Sequence, residues 1–84
     1  MNNIPFSITI KSKNYYGYLS KGDTSDPPRI YFVFLRNNIV GELTYLDKWN
    51  FEQGGRYNIL GRLNRSQLDD IGEYLGDIAT GVYG

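Results

Sequence analysis

Asp69, Asp70, Glu73 and Asp77 crowd four carboxylates into one short stretch of the chain. On a helix, side chains three and four positions apart are neighbours, so Asp69 with Glu73, or Asp70 with Glu73 and Asp77, would form a surface group able to hold a divalent cation or exchange protons. The simpler reading is a solvated helix face, because a metal site needs ligands that converge in a concavity. The chain has no histidine and no cysteine, which removes imidazole bases, thiol nucleophiles, disulfides and the usual zinc ligand sets. Glu52 with Arg56, or the acid group itself, supplies no nucleophile, base and orienting partner together. The expectation is a non-enzymatic protein with no cofactor and no metal.

Two glycine-containing loops, "GDTSD" and "QGGRYN", could cradle a phosphate, the second with Arg56 as its cation. Neither matches a P-loop or a dinucleotide fingerprint, and turn chemistry accounts for both. Gly72 and Gly76 form a G-x-x-x-G pair in "IGEYLG". Each glycine costs a helix about 1 kcal/mol relative to alanine, so the pair implies a backbone approaching closely, on this protein's own sheet or on a second helix.

The eight tyrosines carry the strongest binding signal. With a two-residue turn at Lys13 and Asn14, Tyr16 and Tyr18 lie on the face opposite Ile8, Ile10 and Leu19. In "IYFVFLRNNIV" a turn at Asn37 and Asn38 pairs Phe34 with Gly41, Phe32 with Leu43 and Ile30 with Tyr45 on one face, leaving Tyr31, Val33 and Leu35 with Val40 on the other. If the two hairpins join, Tyr16, Tyr18, Tyr31, Val33, Leu35 and Val40 form a platform edged by Lys11 and Glu42. Such a surface suits a protein partner, or bases and sugars stacking on its rings.

The elements that position these groups follow from periodicity. "FSITIK" alternates apolar and polar side chains, and "YYGYLS", "RIYFVFLR", "IVGELTY" and "DKWNFEQ" read as further strands. The expected strands are 5–11, 15–20, 29–36, 39–45 and 48–53. "KGDTSDPP" is loop chemistry throughout and connects the hairpins. A three-residue turn near Asp47 places Trp49 beside Tyr45, with Phe51 on the same face; residues 57–60 are a candidate sixth, edge strand. Leu68, Ile71, Leu75, Ile78 and Val82 then recur at steps of three and four, which predicts an amphipathic helix over 65–80. Asn64 and Gln67 have the spacing of a capping box, Asp69 and Asp70 suit the N-terminal dipole, and Gly81 suits the C-cap.

The 84 residues make a single domain, 1–84, of the α+β class: an antiparallel meander of about five strands with one C-terminal helix on one face. The expected core joins Phe6, Ile8, Ile10, Leu19, Ile30, Phe32, Phe34, Leu43, Trp49 and Phe51 to Leu68, Ile71, Leu75 and Ile78. Nine basic residues balance nine acidic ones, all nine bases lying in residues 1–65 and four acids in the last 19. That fits an acidic helix on a mildly basic sheet and falls short of a nucleic-acid signature.

No apolar run approaches the roughly 20 residues that span a bilayer, and the first residues lack a charged segment followed by an apolar one, so a cytoplasmic protein without a membrane role is expected. The functional expectation is a small protein-interaction module that self-associates as a homodimer, or binds another protein, through the Tyr16 to Val40 face. Single-stranded nucleic-acid binding on the same tyrosines, or regulation or inhibition of a larger protein, is the alternative.

Overall fold

The computed structural model describes residues 3–54 and 58–81. Five strands run in chain order as one antiparallel sheet: β1 (Ile4–Ile10), β2 (Lys13–Lys21), β3 (Ile30–Leu35), β4 (Asn38–Tyr45) and β5 (Trp49–Gln53), followed by helix α1 (Arg65–Thr80). The sheet curls as a half-barrel and the helix packs against it, an α+β fold. Arg56, Tyr57 and Val82 lie outside the described residues; Asn58–Leu60 form no strand and enter a turn.

Both hairpins close through two-residue turns in which each central residue is left-handed. Lys11 and Ser12 have φ of 53° and 67°, and Arg36 and Asn37 have 51° and 65°. Positive φ at both positions is the requirement of a type I′ turn, whose twist matches that of the flanking strands. The turns fall earlier than the sequence suggests, at Lys11–Ser12 instead of Lys13–Asn14 and at Arg36–Asn37 instead of Asn37–Asn38. Neither displacement alone changes which side chains share a face, because each moves the pairing by an even number of positions.

A β-bulge in β4 does change it. Phe34 stands opposite Ile39 while Val33 stands opposite Gly41, so Val40 is an extra residue with no partner on β3. One inserted residue switches the face of everything beyond it. Leu43 thus joins Val40 on the helix side, opposite Tyr31. On β2, Leu19 pairs with Val33 and Gly17 with Leu35, adding these residues to the same side.

The core is accordingly the reverse of the expected one along β3. Tyr31, Val33, Leu35 and Val40, expected on the free face, are buried with Phe6, Ile10, Tyr15, Leu19, Leu43 and Phe51 beneath Ile71 and Leu75 of the helix. Ile30, Phe32 and Phe34, expected in the core, are half-buried on the other face. The physical reason is that Val40 and Leu43 are three residues apart, and only a bulge turns both of them inward. Leu60 and Leu63 complete the core after β5.

The helix begins with the capping box: the Gln67 amide donates to Asn64 Oδ1 at 2.8 Å, and the Asn64 amide donates to Gln67 Oε1 at 2.9 Å. Asp69 and Asp70 fall beyond the first turn, which holds no acid. At the other end Gly81 is left-handed, φ 80°, and its N–H returns to the carbonyls of Asp77 and Ile78.

Gly72 and Gly76 set the helix directly on β5. The Gly54 amide donates to Val40 O, which fixes the alternation of that ladder and turns the Phe51 N–H and Trp49 C=O to the free side of the strand. A Cβ on Gly72 would stand 3.0 Å from Phe51 N and 3.1 Å from Trp49 O, and one on Gly76 would stand 2.6 Å from Trp49 Cβ. The G-x-x-x-G pair therefore serves close packing within the chain, with the helix covering the β5 edge.

Candidate functional site

The outer face of the sheet, away from the helix, holds the aromatic surface. Tyr16 and Tyr18 belong to it as expected, and Ile30, Phe32, Phe34 and Ile39 take the places expected of Tyr31, Val33, Leu35 and Val40. Register fixes this set: Tyr18 pairs with Phe34, Ser20 with Phe32, Phe34 with Ile39, and Phe32 with Glu42. The Tyr18 and Phe34 rings stack with centroids 4.8 Å apart and planes 11° from parallel. Tyr16 is 75% exposed, and Ile39 is also exposed.

The surface has a consistent order across the strands. On β2 it offers hydroxyls, from Tyr16, Tyr18 and Ser20; on β3 it is apolar; on β4 and β5 it ends in Glu42 and Glu52, which stand directly opposite one another. Like charges at opposed positions destabilise a strand pair. The Lys11 ammonium lies elsewhere, donating to the carbonyls of Leu60 at 3.3 Å and Arg62 at 2.9 Å, and the Arg36 guanidinium sits over the ring of buried Tyr15 at 4.7 Å. Lys11 therefore does not edge this platform, whereas Glu42 does.

The remaining sequence candidates have structural roles. Asp23 in "GDTSD" accepts the Arg29 amide with both carboxylate oxygens at 3.3 Å, bracing the loop between β2 and β3. Gln53 donates to Asn58 Oδ1 and to Gly61 O, both at 2.6 Å, and closes the turn after β5. Asp69 pairs with Arg65 at 3.5 Å on an open surface, a contact worth little in water. Asp69, Asp70, Glu73 and Asp77 line a depression of about 340 Å³ against β5, and among the described residues no group of acids could hold a metal ion. Among the described residues no helix is long and apolar enough to cross a membrane.

A second feature gave no signal in the sequence. The Arg36 amide donates to Tyr16 O, so Tyr16 and Tyr18 turn their backbone groups to β3, and the alternate residues of β2 serve β1. On β1 this leaves the N–H and C=O of Ser7 and Thr9, and the C=O of Pro5, on the free side. Pro5, which has no N–H to lose there, suits that edge position. The Tyr74 hydroxyl donates to Ser7 O at 2.7 Å across the gap to the helix. Ladder parity locates this edge, and parity requires the register.

No family model, curated protein or solved structure matches this chain.

Proposed function

We propose that the protein is a non-enzymatic interaction module that self-associates through the outer face of its sheet. The observation that carries this reading is the order of groups across the face: hydroxyl donors on β2, aromatic and aliphatic side chains on β3, and the Glu42 and Glu52 acceptors on β4 and β5. A two-fold axis running along β3 lays β2 of one copy over β4 of the other. Phe32 and Phe34 then meet their counterparts, and Ser20 of one copy lies over Glu42 of the other, one of the two carboxylates that repel each other in the single chain. Sheets packed face to face at about 30° interdigitate in this way.

The size of the face sets the strength. Five strands about 4.8 Å apart and about six residues long give a flat footprint of roughly 400 Å² per copy. With the relief of the aromatic side chains, the pair approaches the lower end of stable interfaces, about 1,200 Å² in total. The association is thus a concentration-dependent one, in the micromolar range. Replacing Phe34 by Glu removes the central ring and adds a third acid to the face; light scattering at rising concentration then reads a lower mass, with circular dichroism unchanged. Self-association undiminished in Phe34→Glu would rule out this surface.

Nucleic acid is the less suited occupant. Stacking platforms for single strands combine aromatic rings with cations that follow the backbone, and here the rings are bordered by Glu42 and Glu52.

A further inference from the structure

We propose that the cleft between the free edge of β1 and helix α1 receives an extended peptide segment of a partner protein, added antiparallel to β1 as a sixth strand. This site adjoins the outer face at Tyr16 and does not rest on self-association. The cleft, of about 540 Å³, has Ser7, Ile8, Thr9 and Tyr16 on its strand side and Asp70, Ile71 and Tyr74 on its helix side. Backbone groups of Ser7 and Thr9 point into it, as the ladder alternation requires. They are the donors and acceptors that strand addition uses.

The shape selects the occupant. The helix stands across the gap from the edge, so an incoming strand must fit between β1 and α1. The β1 edge of a second copy carries its own helix along the same side and would collide with the first. A single extended segment fits.

The lining selects its chemistry. A peptide residue opposite Ile8 turns its side chain to the helix side, against Ile8 and Ile71, and is apolar. Residues on either side of it turn outward beside Tyr16. Asp70 is exposed on the helix wall, and among the described residues no basic side chain lines the cleft, so the segment carries a lysine or arginine within its reach. Tyr74 has a regulating position: its hydroxyl holds the Ser7 carbonyl that a peptide amide would otherwise take.

The test uses a phage-displayed library of linear heptapeptides panned on the full chain, with selected peptides resynthesised and titrated by fluorescence anisotropy. The selected sequences are expected to alternate β-branched residues with at least one base. Thr9→Pro deletes a free-edge N–H while sparing the ladder to β2, and weakens binding by about tenfold. Tyr74→Phe releases the Ser7 carbonyl and tightens binding by about threefold. Asp70→Asn weakens it, and exchange of the Ser7 and Thr9 amides slows in the complex. Should Thr9→Pro fail to fold, the Tyr74 and Asp70 variants and the amide exchange still decide. An unenriched library, peptides indifferent to Tyr74→Phe and Asp70→Asn, or a wild-type oligomer dissolved by Thr9→Pro in a folded state would each overturn the proposal.

Discussion

Val33 and Phe34 are consecutive on β3 and lie on opposite faces of the sheet: Val33 is 1% exposed beneath the helix, while Phe34 stacks on Tyr18 at 4.8 Å on the outer face. Identical substitutions at the two positions should therefore have unlike consequences. Val33→Glu buries an unpaired carboxylate at a cost of several kcal/mol, comparable to the whole stability of a small domain, and should abolish the folded circular dichroism spectrum. Phe34→Glu should keep that spectrum and lose at most about 1 kcal/mol in urea, the order of one ring contact. A folded Val33→Glu protein would mean that Val33 does not face the helix.

Gly76→Ala pits helix propensity against packing. Alanine gains about 1 kcal/mol in a helix interior. The new methyl, however, would sit 2.6 Å from Cβ and Cδ1 of Trp49, near the base of that side chain, where little can yield. Overpacking at such a site costs about 1–3 kcal/mol. A net loss of up to about 2 kcal/mol in a urea titration is the expected result, and an equal or higher midpoint would show the helix standing further from β5.

Ser12→Gly should stabilise the protein. Ser12 is left-handed, φ 67°, in the first hairpin turn, and glycine occupies that region without the roughly 1 kcal/mol that an L side chain pays. Its neighbour Lys11 is less suitable for replacement because its ammonium ties the turn to Leu60 and Arg62. Thermal unfolding of Ser12→Gly is expected several degrees above wild type.

Alkaline stability should depend on Tyr31. Burial, and then the nearby Asp23 charge, raise its phenol pKa above the ordinary 10.0. Below pH 10 the phenol is protonated in both folded and unfolded chains and adds no pH dependence. Above it the unfolded chain releases the proton first, so stability falls as pH rises toward the folded value. Tyr31→Phe should flatten that part of the pH profile measured by urea unfolding; an unchanged slope would place the phenol in water.

The helix was the most legible element. Its apolar spacing, the Asn64–Gln67 box and Gly81 each act within a few residues, so local sequence carries them. The five strands and their order were legible from alternation and turn residues, and Trp49 beside Tyr45 follows from a three-residue turn that the structure contains, with the rings 5.1 Å apart. The faces of β3 were not legible. "IYFVFL" is apolar on both sides, so composition cannot say which side is inward, and the deciding feature is a bulge at Val40 on the next strand. That single residue turns Leu43 to the side of Val40, and with Leu19 paired to Val33 it leaves Tyr31, Val33, Leu35 and Val40 in the core and not on the expected surface. Tyr16 and Tyr18 kept their places because Tyr15, Gly17 and Leu19 give β2 a single side fit to face the core.

Solution mass by light scattering over a dilution series tests self-association through the outer face most directly, with Phe34→Glu measured alongside. The wild type should rise toward twice the 9.7 kDa chain mass as concentration increases through the micromolar range, while Phe34→Glu stays at one chain mass. A wild type that remains at one chain mass up to the order of 1 mM, where binding is weaker than about 4 kcal/mol, would contradict it.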